Sequence, residues 1–175
     1  DSSFTNSFQV KNDTAKLVSG SAVISSLNFD TVGAQAGTSN DVARVFGTAG
    51  NDTLTARQKQ ITDTMGNVTG IVNQSVFDLG AGQTSTVMLN GFFQTHAYAD
   101  NGGGFDKAVF FDYDGVDDTL NEGATIDYFN YMDQDTLEAV YQLIAFDQIE
   151  KKEESGEDSP QDDLFDAAFF DGWNN

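Results

Sequence analysis

Strict alternation of apolar and polar residues is the commonest pattern along this chain. Val32, Ala34 and Ala36 fall on one side of an extended backbone, and Gly33, Gln35 and Gly37 on the other. The run His96-Ala97-Tyr98-Ala99 repeats the theme. Period two is the signature of a strand with one face buried. Clusters such as Gly37-Thr38-Ser39-Asn40 and Asp100-Asn101-Gly102-Gly103-Gly104 separate these runs. They read as turns, because Gly supplies positive φ and Asn and Asp bond back to their own backbone. Helical spacing is scarce. It predicts one helix over Asp133–Tyr141, with acids at its start and Leu137, Val140 and Tyr141 on one face. A single helical turn is expected over Ala56–Asp63. The predicted class is all-β.

A short phrase recurs: Asp, any residue, Ala, any residue, a large apolar residue. It occurs at Asp13–Leu17, Asp41–Val45, Asp106–Phe110 and Asp166–Phe170, with spacings of 28, 65 and 60 residues. Its Ala and its large residue share one face of a strand. The second and third copies continue alike, as Phe46-Gly47-Thr48-Ala49-Gly50-Asn51-Asp52-Thr53-Leu54 and Phe111-Asp112-Tyr113-Asp114-Gly115-Val116-Asp117-Asp118-Thr119-Leu120. A preface (Leu27–Val32, Asn90–Thr95, Ile144–Ile149) precedes the last three copies. The chain therefore reads as one repeat array, residues 1–175. It divides into a partial unit at 1–20, units at 21–84 and 85–137, and a partial unit at 138–175. Residues 150–163 form an acidic insertion in the last unit, expected to be a solvated loop. Units that cannot bury their own faces must stack on neighbours. The expected architecture is thus a β-solenoid or β-helix-like array of short strands with acidic turns; the alternative is a β-sandwich.

Composition narrows the function classes. Against 28 Asp and Glu stand only 8 Lys and Arg, a formal net charge of -20. Nucleic acid needs a basic face, and an anionic membrane surface needs basic clusters. Neither partner is expected, and no apolar run is long enough to span a membrane. With no Cys there is no disulfide, no thiolate metal site and no cysteine nucleophile. Fifteen Phe make this a folding chain and not a disordered acidic tail. The acids are 22 Asp and six Glu, a choice that favours turns over helices.

The acidic turns carry the candidate chemistry. Gly47–Thr55 fits the calcium-roll nonapeptide G-G-x-G-x-D-x-U-x at all defined places but the second. Residues 112–118 hold four carboxylates, Asp112, Asp114, Asp117 and Asp118. Like charges that close call for a cation, and calcium takes six to eight oxygens. Asp52, Asp112, Asp114, Asp117 and Asp118 are the candidate calcium ligands. The plainer reading is a solvated turn whose Asp side chains cap backbone amides. Catalysis finds little support. His96 is the only histidine and sits in an alternating strand pattern. No two carboxylates are singled out for a glycosidase pair. Asn12, Asn51, Asn67 and Asn73 head N-x-S/T triplets, which a chain rich in Asn, Ser and Thr also makes by chance.

Taken together, the Phe-Asp-x-Val preface, the Asp-x-Ala-x-apolar phrase and the Asp-x-x-Gly-x-Asp-Asp-Thr-Leu turn resemble the repeats of large secreted bacterial surface proteins. Those repeats are similar to, but longer than, hemolysin-type calcium-binding repeats. The resemblance spans about residues 20–175 and is best at Phe92–Leu120. It implies a non-catalytic structural or adhesive segment of an extracellular or cell-surface bacterial protein. Such a segment would be stabilised by calcium and would self-associate as a homo-oligomer, filament or layer. A cell-surface polysaccharide is a further implied partner. The alternative is an accessory carbohydrate- or calcium-binding region of a secreted polysaccharide-active enzyme. The insertion at 150–163, and Gly47 in the place of Asp112, depart from the repeat.

Overall fold

A computed structural model describes residues 5–19, 21–36, 40–82, 84–99, 103–112, 118–133 and 136–153. The described residues form fourteen strands and no helix. The larger sheet has eight strands in the order β11-β12-β13-β9-β5-β1-β2-β3, and the smaller has six in the order β14-β10-β6-β7-β8-β4. The strands of the larger sheet are β1 (Asn6–Lys11), β2 (Thr14–Ser19), β3 (Ala22–Leu27), β5 (Val42–Phe46), β9 (Gln94–Tyr98), β11 (Thr119–Asn121), β12 (Asp127–Asp133) and β13 (Thr136–Ile144). Those of the smaller are β4 (Thr31–Gln35), β6 (Thr53–Thr62), β7 (Val68–Asp78), β8 (Thr86–Asn90), β10 (Lys107–Asp112) and β14 (Gln148–Glu153).

Both sheets are mixed. The chain passes from the larger sheet to the smaller between β3 and β4, β5 and β6, β9 and β10, and β13 and β14. Parallel neighbours accumulate as a result. Val42 lies beside Gln94, and Gln94 beside Val140. Likewise Lys107 lies beside both Thr53 and Gln148. This repetition is not the one read along the sequence, because the strands that follow Asp41 and Asp106 lie in different sheets. It does not close into a solenoid or a barrel, because antiparallel pairs interrupt each round: β1–β2–β3, β6–β7–β8 and β11–β12–β13. The expectation of a solenoid is corrected accordingly, and the arrangement is compatible with a β-sandwich.

Local chemistry explains several of these elements. Asn12 and Asp13 make the two-residue turn between β1 and β2 with φ of 49° and 59°. Positive φ at both central residues suits the twist of a tight hairpin, and Asn and Asp tolerate it best among residues with a Cβ. At the β6–β7 turn, Asp63 Oδ1 accepts the amides of Met65 and Asn67. The Asn67 side-chain amide, and after it these backbone bonds, hold the Asp63 carboxyl below its ordinary pKa.

One hydrophobic core lies between the sheets. Val10, Ala43, Val45, Ala97, Phe129, Tyr141 and Leu143 enter it from the larger sheet, and Leu54, Ala56, Phe77, Val87, Leu89, Ala108 and Phe110 from the smaller. The phrase is strand in all three copies that the structure describes, and in the second and third its Ala and large residue are both fully buried. Val32, Ala34 and Ala36 of the preface pack against the core as their alternation predicts.

Both helical expectations are overturned. Residues 136–144 are β13, in which Ala139, Tyr141 and Leu143 point inward with period two while Leu137 is exposed. Tertiary pairing on both sides, with β12 and β9, outweighs the weak helical spacing. Residues 56–62 lie in β6, held between β7 and β10. The acidic insertion begins later than expected, because residues 150–153 belong to β14, which the apolar β10 recruits as a parallel neighbour. Residues 154–163 and the fourth phrase, 166–170, lie outside the described residues.

Candidate functional site

The aspartates of the repeat act first as staples. In all three described phrases the Asp carboxylate accepts a backbone amide far away in sequence. Asp13 Oδ1 accepts the Thr84 amide at 2.8 Å. Asp41 Oδ1 accepts the amide of Asn6 at 2.8 Å and its side-chain amide at 2.9 Å. Asp106 Oδ1 accepts the Asp52 amide at 2.8 Å. Asp is short enough to reach one strand across and supplies a charged acceptor, which makes a stronger bond than a neutral one. The recurring Asp-x-Ala-x-apolar phrase is therefore a strand with its own fastener.

The fasteners form a ladder where three parallel strands begin. Asp52, Asp106 and Asp147 stand immediately before β6, β10 and β14. The Asp52 amide donates to Asp106, and the Asp106 amide donates to Asp147 Oδ2 at 2.8 Å. Asp52 turns its own carboxylate the other way. Its Oδ2 accepts the Thr48 amide at 2.6 Å, and its Oδ1 accepts the Thr48 hydroxyl and the Gly80 amide, each at 2.8 Å. The Gly50 and Gly80 backbones touch here. A Cβ on either would overlap the other's main chain, so the nonapeptide glycine serves a backbone crossing.

These positions bear directly on the candidate calcium ligands. Of the five, the structure describes the carboxylates of Asp52 and Asp118. Asp52 is buried with both oxygens already accepting hydrogen bonds, and Asp118 Oδ1 accepts the Met132 amide at 2.8 Å. The Asp112 backbone ends β10, but its side chain, Asp114 and Asp117 lie outside the described residues. Among the described residues no three His, Cys, Asp or Glu side chains converge as a metal site would require. Asn12, Asn51, Asn67 and Asn73 fall in three turns and in β7, where Asn73 is buried in a polar chain.

His96 lies in β9, half buried, beside Arg44 of β5. Burial, and secondarily the Arg44 cation, hold its pKa below the ordinary value.

Sequence reasoning missed a buried polar seam. Arg57 is 2% exposed and its Nε donates to Gln74 Oε1 at 3.1 Å. Gln58 Nε2 donates to Asn73 Oδ1 at 3.2 Å, and Asn73 Nδ2 donates to the Glu138 carbonyl at 3.1 Å. That last bond ties the smaller sheet to β13 of the larger. No signal in the sequence marks these four side chains, because their burial comes from strands far away in the chain.

The most distinctive surface lies at the opposite end from the acid-rich elements. Phe8, Leu17 and Ile24 are successive cross-strand neighbours on β1, β2 and β3. Their exposures are 5%, 37% and 65%. The core row runs outward and stops in solvent. Val32 and Ala34 of β4 line the other wall of the resulting groove. Val23, Leu27 and Phe29 are exposed beside it. No helix among the described residues is long and apolar enough to cross a membrane. Comparison of the chain with family models, curated proteins and solved structures finds no match.

Proposed function

We propose that this chain is a non-catalytic, self-associating structural or adhesive segment of an extracellular bacterial protein. One observation carries the proposal: the β3 end of the larger sheet, where an apolar row that belongs in a core is left open along an uncharged edge strand. Edge strands of isolated monomers are normally blunted by charge, proline or brevity, and contiguous exposed apolar surface marks an interaction site. The extracellular and bacterial parts of the reading rest on the repeat resemblance. Calcium belongs to the proposal at residues 112–118, which hold four of the five candidate carboxylates. At Asp52 a cation would have to displace three hydrogen bonds.

Sedimentation across a wide concentration range, with electron microscopy of the assembled material, tests the reading. The expected result is concentration-dependent assembly. A monomer at every concentration sinks it. For calcium the expected outcome is a lower melting temperature in EDTA, by mass action on the folded state. An unchanged melting temperature removes calcium from the proposal.

A further inference from the structure

The four sheet edges are not alike. β14 (Gln148–Glu153) carries Glu150, Lys151 and Lys152 along its length. β11 has three residues, flanked by Asp118 and Glu122. β4 has five residues and a glycine at its centre. β3 has six residues, Ala22-Val23-Ile24-Ser25-Ser26-Leu27, with no charge, glycine or proline. It lies within a charge-free stretch from Leu17 to Phe29, in a chain of which 21% of residues are charged. β14 and β11 carry charge or brevity as a deterrent to pairing, the glycine weakens β4, and β3 carries none of these. β3 is also held in place, because the Asn28 amide just beyond it donates to the Asp13 carbonyl at 3.1 Å. An ordered strand loses little further entropy on pairing.

We propose that β3 pairs antiparallel with β3 of a second copy of this chain about a two-fold axis. The two larger sheets would then become one continuous sheet. This inference rests on the self-association reading and specifies its interface. Three arguments select the occupant. A two-fold interface needs one self-complementary patch, and an uncharged strand edge is such a patch. The open Phe8–Leu17–Ile24 row is continued across the axis by the same row of the second copy, which covers the exposed Ile24. Charge distribution disfavours approach at β11 and at β14. Residues 100–175 hold 21 of the 28 acids and three Lys, whereas residues 1–99 hold seven acids and five Lys or Arg. At net -20, two copies repel unless their acid-rich ends stay apart. Pairing at β3 leaves β11 seven strand spacings from β3, roughly 34 Å at ~4.8 Å each. The described carboxylates at that end, Asp118, Glu122 and Asp127, are then separated from those of the second copy by several times the Debye length of about 8 Å. A head-to-tail contact with β14 or β11 would instead bring β3 against a charged or acid-flanked edge, and one with β4 against a strand weakened by its central glycine.

The chain has no Cys, which makes single-cysteine scanning direct. Val23→Cys, Ile24→Cys and Ser25→Cys, with Thr119→Cys on β11 as the distant control, are oxidised and resolved without reductant. A two-fold antiparallel pair sets one position opposite its own copy. The expected result is a covalent dimer whose yield peaks at one β3 position, with none from Thr119→Cys. In parallel, Ile24→Lys is expected to raise the dimer dissociation constant at least tenfold by sedimentation. Its melting curve, taken above the dissociation concentration of both proteins, reports whether the fold survives this exposed change. Assembly that persists in Ile24→Lys, or crosslinking that is equal at Thr119, overturns the β3 interface while leaving self-association standing. A protein that never assembles overturns both.

Discussion

Phe110 of β10 and Phe129 of β12 stack across the two sheets with ring centroids 4.0 Å apart and planes 9° from parallel. Tyr131 and Tyr141 meet Phe110 edge-on at 6.3 and 5.2 Å, so four rings from three strands fill the acid-rich half of the core. The Tyr131 hydroxyl donates to the Phe111 carbonyl at 3.1 Å, which satisfies the polar end of a buried ring. Phe110→Ala is expected to cost about 3–5 kcal/mol, as large core aromatics do when a cavity replaces them. A double-mutant cycle with Phe129→Ala should return a coupling of about 0.5–1.5 kcal/mol beyond area burial. Urea unfolding of the four proteins measures both.

Asp106 distinguishes a staple from a cation ligand. Asp106→Ala strands the buried Asp52 amide and is expected to cost about 1–3 kcal/mol. Asp106→Asn keeps an acceptor oxygen in the same place and should lose clearly less. If the Asn and Ala variants are equally damaged, with or without calcium, the charge and not the acceptor matters there.

Gly50→Ala should destabilise the fold although Gly50 lies in a surface turn. A methyl group there meets the Gly80 main chain, which has no flexible end to swing away. The urea midpoint should fall, whereas Gly66→Ala, at an open tip with φ of +83°, tests backbone strain alone. An unchanged midpoint for Gly50→Ala would contradict the close crossing.

The ion pair between Lys107 and Glu150, at 2.9 Å, joins β10 to β14. The hydrogen bond from Lys107 holds the Glu150 carboxyl below its ordinary pKa. A lowered carboxyl pKa adds stability above the unfolded value and loses it as pH falls through the folded one. Glu150→Gln is therefore expected to lower the melting temperature at pH 7 and to match the parent near pH 2. A difference that persists at pH 2 would mean that the carboxylate's charge is not what stabilises the pair.

Much of this architecture was legible along the chain. Period-two alternation identified the strand in each of the three described phrases. The phrase itself marked where an Asp precedes Ala and a large inward residue. The strand partners were not legible. Asp41 and Asp106 head similar phrases, yet β5 lies in the larger sheet and β10 in the smaller. The spatial counterparts of Asp106 are Asp52 and Asp147, whose phrases lack the Ala. Local sequence specifies a strand and its inward face, whereas pairing is decided by which distant strand completes the core. The same limit hid the buried Arg57–Gln74 and Gln58–Asn73 contacts. It also made β13 look helical, because Leu137, Val140 and Tyr141 fit a helix face as readily as Ala139, Tyr141 and Leu143 fit a strand.

Sequence alone determined the all-β class, the turn chemistry of Asn and Asp, and the concentration of negative charge in the last 76 residues. These follow from backbone preference and side-chain charge, which are local properties. Tertiary structure decided three further matters. It arranged the strands as two mixed sheets, and it gave the phrase aspartates to amides 35 to 71 residues away. It also left β3 as an uncharged edge on an open core. Each depends on which strands pair, a choice made by the burial of the whole chain and not by any segment of it.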